Sequence, residues 1–212
     1  EFYVDGAPIT TTDSTVYVNG SQALLAREVS VAIAGRRNGS GVLVADEIAF
    51  RIPSTVQIEA NVDAIDTQNG SLRLLGINLS ANDFTLFRDV SGSPVADFWL
   101  DDLAIGDRAE VRAYPLNAGI LATRVERDDA AEKVTLQAPV GAVTRPSLTL
   151  LGVTVTADGA TTYRDAANQT VDADTFFGQA DAGSIVKAVG DYDGASILAD
   201  TLYLRDCQNG CL

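Results

Sequence analysis

Residues 70–79, Gly-Ser-Leu-Arg-Leu-Leu-Gly-Ile-Asn-Leu, return 76 positions later as Pro-Ser-Leu-Thr-Leu-Leu-Gly-Val-Thr-Val without a gap. The match runs on through Thr85-Leu-Phe87-Arg88-Asp89 and Thr161-Thr-Tyr163-Arg164-Asp165. Self-similarity at a fixed period means that one supersecondary unit has been reused, so any fold proposed for one stretch must serve the other. Upstream, Val56-Gln-Ile58-Glu-Ala60-Asn-Val62 corresponds to Val134-Thr-Leu136-Gln-Ala138-Pro-Val140, two residues out of phase with the later block because one turn is shorter. Downstream, Gly119-Ile-Leu-Ala-Thr-Arg-Val125 returns as Ser196-Ile-Leu-Ala-Asp-Thr-Leu202. A third match is partial. Phe2 to Ile9 fits Leu72 to Leu79, Thr15-Val-Tyr17 fits Thr85-Leu-Phe87, and Val42 to Ile48 fits the closing segment. Nothing before Phe2 matches the opening segment.

The boundaries that follow are an incomplete first module over residues 1–51, a second over 54–128, a third over 132–206 and a tail over 207–212. In the middle module, Val56 to Ile65 and Leu72 to Leu79 alternate apolar and polar residues with the two-residue period of half-buried strands. Gly76 interrupts the second strand and predicts a bend or bulge in one long strand. Residues 85–88, 108–114 and 119–126 complete five strands. Between the third and fourth, Asp97-Phe-Trp-Leu100 to Gly106 has helical apolar spacing with Asp97 placed as a cap, and the third module offers Asp172-Ala-Asp-Thr-Phe176-Phe177 at the same place. The fold class expected is all-β: tandem small OB-like Greek-key barrels, each with a short helix between strands three and four. Phe98, Leu100 or Leu103 would close the barrel, and Trp99 is expected to fill a core.

The same pattern, with its LLG-type second strand, Thr-x-aromatic third strand, Leu-x-x-Gly-Asp-like turn and closing Ala-Thr-x-Val strand, resembles the bacterial repeat family named domain of unknown function 5666. The resemblance covers nearly the whole chain. It implies an exported or envelope-attached bacterial protein of small β-barrel modules with no established activity. The third module departs from the pattern at Ala182-Gly183-Ser184, where the middle one has Ile105-Gly106-Asp107.

Charge narrows the partners. The 212 residues carry 29 acidic and 15 basic side chains, a formal net charge of −14, and no histidine. Arg36-Arg37 is the only adjacent basic pair, so phosphate backbones and anionic membrane surfaces are disfavoured and no nucleic-acid partner is expected. No apolar run approaches the length of a membrane span. The chain contains no methionine, so Glu1 is expected to follow a removed export signal or other upstream sequence, with a lipid anchor as one form of attachment.

Nucleophilic catalysis normally needs a base, and the usual one is missing here. Paired carboxylates exist at Asp101-Asp102, Asp128-Asp129 and Asp191-x-Asp193, but such neighbours arise by accident in so acidic a chain. Asp191 and Asp193, beside Gly194, weakly resemble a calcium loop but lack its third acid and distal glutamate; the competing reading is a hairpin turn. Arg88 and Arg164, each followed by aspartate, read as surface arginines pairing with carboxylates. Cys207 and Cys211 flank Asn-Gly in the tail; a disulfide closing that small loop is the favoured reading and free thiols the alternative.

No catalytic residue, cofactor or metal is therefore expected. The function expected is a non-catalytic binding or scaffold module outside the cytoplasm, in the periplasm or at the cell surface, meeting an envelope protein or a glycan. A calcium-stabilised adhesion-type module and a carboxylate-dependent hydrolase are the alternatives. The opening strand missing from the first module leaves an open edge through which the chain could self-associate.

Overall fold

The computed structural model describes residues 2–4, 6–18, 22, 25, 30–51, 54–82, 85–116 and 119–206. They form two compact units, Glu1–Ile52 and Pro53–Leu212. The second unit therefore contains both complete copies of the repeat.

The first unit holds β1 (Phe2–Val4), β2 (Ala7–Thr10), β3 (Val16–Val18), β4 (Ser30–Arg37) and β5 (Leu43–Arg51). β1 and β2 form a hairpin; β5 takes β2 and β3 as parallel neighbours and β4 as an antiparallel one. A small core gathers Ile9, Ala45, Ile48 and Phe50.

In the second unit the middle copy runs β6 (Val56–Asp66), β7 (Ser71–Leu74), β8 (Ile77–Ser80), β9 (Leu86–Asp89), β10 (Arg108–Leu116) and β11 (Gly119–Asp128). The third copy repeats the order as β12 (Val134–Thr144), β13 (Ser147–Leu150), β14 (Val153–Thr156), β15 (Thr162–Arg164), β17 (Ile185–Tyr192) and β18 (Ser196–Arg205), with an added β16 (Thr170–Val171) and helix α1 (Ala173–Gln179). The long opening strand does two jobs in each copy. β6 pairs with β10 over its first half and with β7 over its second, and β7–β8–β11–β10 completes the circuit. β12 does the same with β17 and β13.

Alternation along the opening strands produces the core. Val56, Ile58, Ala60 and Val62 are buried, as are Val134, Leu136, Ala138 and Val140. The copies match at depth: Leu72, Leu74 and Leu79 are buried, and so are Leu148, Leu150 and Val155. Phe87 is half-buried where its counterpart Tyr163 is buried.

The two copies meet through their opening strands, with Gln57 opposite Gln137, Ile58 opposite Leu136 and Glu59 opposite Thr135. Ile58 thus faces its own counterpart, and the residues on either side exchange partners, which is the register of a local two-fold axis.

The chain is all-β, as expected, but discrete tandem OB-like barrels are corrected. One sheet of thirteen strands runs through both complete copies, and one apolar cluster spans them. The alternating apolar residues of β6 and β12 face the core, Gln57, Thr135 and Gln137 on the opposite face are buried where the two strands pair, and neither copy is a separate body. Two further expectations change. The long second strand is split: Leu75 (φ 52°) and Gly76 (φ 73°) form a two-residue turn, and Leu151 (φ 50°) and Gly152 (φ 86°) repeat it. Successive positive φ values are those of the tight hairpin turn whose twist suits its strands, so Gly76 makes a reversal rather than a bulge. The helix expected in the middle copy is one 3-10 turn, Leu100–Asp102, entered from Trp99; Asp97 has a positive φ and caps nothing there.

Candidate functional site

The sequences of the two complete copies diverge most between their third and fourth strands, and there the structure leaves one of them open. In the third copy Asp165 turns the chain back: its carboxylate accepts from the amides of Ala167 (3.0 Å) and Gln169 (2.8 Å). That reversal lays β16 against β15, Tyr163 opposite Val171 and Arg164 opposite Thr170. Asp172 then caps α1 by accepting from the Thr175 amide at 2.7 Å. The helix delivers Phe176 and Phe177, whose ring centroids lie 5.4 and 5.9 Å from Tyr163. The outer edge and flank of β15 are covered by the chain's own residues.

The equivalent aspartate of the middle copy works differently. Asp89 accepts from the amides of Ser91 (3.0 Å) and Val95 (2.7 Å) and forms an ion pair with Arg127. Its side chain is fully buried, and the Arg127 guanidinium holds its carboxyl well below the usual carboxylate range, outweighing the opposing effect of desolvation. Arg127 also lies 4.8 Å above the ring of Phe98. Tethered at Val95 and carrying Pro94, which has no amide hydrogen to donate, the segment after β9 does not pair along it. Among the described residues β9 pairs with β11 alone.

A groove of about 480 Å³ results, walled by β9 on one side and by Val95, Asp97, Phe98 and Trp99 on the other. Trp99 is 55% exposed and Leu86 59%. Trp99 tilts against Phe87 with centroids 6.0 Å apart. The core position expected for Trp99 is thus corrected: Phe98 takes it, 5% exposed, and Trp99 faces outward. An open strand edge beside an exposed indole can supply main-chain hydrogen bonds and apolar contact together. The sequence signal for it was Pro94 in a segment whose counterpart pairs.

The remaining candidates are dispersed. Asp193 accepts from the amides of Ala195 (2.9 Å) and Ser196 (2.7 Å), a turn between β17 and β18 whose two amides lower its pKa. Asp191 binds Lys133 Nζ at 2.8 Å, as does Asp200. Among the described residues no cluster of three or more metal-ligating acidic or sulfur side chains occurs. Asp102 accepts from the Trp99 amide at 2.9 Å within one turn, and Asp129 from the Gly92 amide at 2.9 Å, tying the end of β11 to the segment after β9. Arg88 lies 3.8 Å from Glu126, and Arg164 donates to the Asn168 carbonyl at 3.1 Å. Cys207 and Cys211 lie outside the described residues. No helix among the described residues is long and apolar enough to cross a membrane.

A family model described as Domain of unknown function (DUF5666) matches residues 1–49, 59–126 and 137–200, one segment in each copy of the repeat. No curated protein and no solved structure matches the chain.

Proposed function

We propose, from the premise that the chain belongs to the family of domain of unknown function 5666, that it is a non-catalytic binding module of the bacterial envelope, working outside the cytoplasm. Its ligand is an extended segment of a partner protein, which lies along the outer edge of β9 and covers Trp99. One observation carries this reading. The third copy fills the same edge with β16 and the same flank with Phe176, whereas the middle copy leaves β9 and an exposed tryptophan. The occupant's chemistry follows from β16: a short strand, antiparallel to β9, with an apolar residue opposite Phe87.

Trp99 is the lone tryptophan, so its emission reports the groove alone. Peptides selected from a displayed library against the whole chain should shift that emission to shorter wavelength and slow amide exchange at Leu86–Arg88. Trp99→Ala should weaken their binding at least tenfold while leaving the unfolding midpoint within a few degrees. Selected peptides that leave Trp99 emission unchanged would overturn the site. Binding of glycans, with no peptide selected, would overturn the ligand class.

A further inference from the structure

Each complete copy carries two adjacent aromatic residues between its third and fourth strands, Phe98 and Trp99 in the middle copy and Phe176 and Phe177 in the third. The second member of each pair packs against the aromatic of the third strand: Trp99 lies 6.0 Å from Phe87 and Phe177 lies 5.9 Å from Tyr163, centroid to centroid. In the third copy that second ring is capped. The Arg145 guanidinium lies 5.3 Å above Phe177, a cation on the negative face of a ring. Asp174 holds it there, accepting from Nη1 at 2.6 Å through its carboxylate and from Nη2 at 2.8 Å through its carbonyl.

The middle copy has the ring and an acid but lacks the cation. Gly70 aligns with Pro146, so Asn69 stands where the third copy has Arg145, and its neutral side chain is turned onto Asp66 at 2.7 Å. Among the described residues no cation lies over Trp99. Trp99 is 55% exposed where Phe177 is 8%. Three charged residues line the groove: Arg88, Asp89 and Asp97. Asp89 is paired with Arg127, and Arg88 lies 3.8 Å from Glu126. The exposed carboxylate of Asp97, two residues before Trp99, has no partner among the described residues.

We infer that Trp99 and Asp97 form a seat for one guanidinium, supplied as an arginine of the extended segment that lies along β9; the inference rests on the reading of β9 as a docking edge. Indole is the ring on which a cation gains most. A net charge of −14 on the chain favours a basic residue beside an exposed aspartate. Arginine is specified over lysine because its planar fork lies on a ring and bonds a carboxylate at once, as that of Arg145 does. Its place in the segment follows from strand geometry. Trp99 packs against Phe87, and residues two apart in a strand share a face, so the arginine stands two residues from the apolar one opposite Phe87.

Peptides selected from the displayed library against the whole chain test this. Those that move Trp99 emission should carry arginine at that spacing. Replacing it with citrulline, which keeps the shape and loses the charge, should weaken binding about tenfold. Moving it by one residue, onto the other face of the strand, should cost as much. Asp97→Asn should weaken the arginine peptide about threefold and leave the citrulline peptide unchanged. Asparagine accepts the φ of 53° at this position, so the variant keeps the local backbone. Peptides that cover Trp99 without arginine, or that bind equally with citrulline, would overturn the seat and leave β9 standing as a docking edge. Equal binding with the arginine displaced would reduce the effect to general attraction toward an acidic chain and overturn the seat likewise. An Asp97→Asn loss shared by both peptides, or absent from both, would overturn Asp97 as its anchor. A selection that returns no peptide able to move Trp99 emission would overturn both the seat and the docking edge.

Discussion

The hydroxyl of Thr85 donates to the carbonyl of Ala122 at 2.8 Å and accepts from the amide of Asn82 at 3.0 Å, bridging the start of β9 to β11. Thr161 does the same with Ala199 (2.7 Å) and Asp158 (2.9 Å), and Thr15 with Ala45 (2.8 Å) and Thr12 (2.9 Å). One threonine in each copy thus ties the third strand to the closing strand at a buried position. Thr85→Val keeps the shape but leaves a buried acceptor and an amide without their partner, at a cost of about 1–3 kcal/mol. Urea unfolding should show a lowered midpoint with unchanged slope for Thr85→Val and a smaller loss for Thr85→Ser, which retains the hydroxyl.

Asp89 makes stability depend on acidity. Its pKa in the folded chain is depressed, chiefly by Arg127, while an unfolded aspartate titrates near ~3.9. The folded state therefore holds the proton less tightly. The resulting stabilisation is fully present above the unfolded value and is lost as pH falls through the range between it and the lower folded one. Urea midpoints between pH 2 and 6 should drop below about pH 4. Asp89→Asn should be less stable at pH 6 and show a flatter acid limb.

Gly190 sits where β17 shifts register against β18, and a Cβ there would come within 2.0 Å of the Leu198 carbonyl oxygen. Backbone must move to admit it, so Gly190→Ala should cost about 2 kcal/mol. Gly178, inside α1 with nothing within 4 Å of an added Cβ, is the control. Gly178→Ala should be neutral or stabilising by up to about 1 kcal/mol through helix propensity. Thermal unfolding of the two variants side by side checks the contrast.

Calcium should not raise the melting temperature. Asp193 is engaged by two turn amides and the Ser196 hydroxyl, and Asp191 by Lys133, so a cation at either competes with existing partners. Thermal scans with millimolar calcium should match those with chelator to within a degree. A rise that grows with calcium concentration would restore the adhesion-type reading, because binding to the folded form alone must stabilise it.

Much of this fold was legible in the repeat. An ungapped match of Leu72, Leu74 and Leu79 to Leu148, Leu150 and Val155 predicts shared burial, because a two-residue period admits no slip without exposing the whole apolar set. The turn at Leu75-Gly76 was less legible, since leucine rarely takes a positive φ and only its pairing neighbours reveal the reversal. The candidate site was hidden for a different reason. Asp89 and Asp165 are identical in type and position, yet one binds Arg127 and the other closes a turn, and sequence alone does not say which partner a carboxylate finds. Trp99, the lone tryptophan, was expected to fill a core; Phe98, one of the residues expected to close the barrel, is buried, and Trp99 beside it faces outward.

The pairing of Ile58 with Leu136 bears on how the two copies assemble. The seam sets equivalent positions, though not identical residues, opposite one another: Gln57, Ile58 and Glu59 of β6 face Gln137, Leu136 and Thr135 of β12. Because the short stretch between β11 and β12 carries both copies on one chain, the pairing is intramolecular and does not depend on protein concentration. The seam also closes on itself. Each opening strand has spent that edge on the other, so along residues 57–59 and 135–137 neither is open to a strand from another molecule.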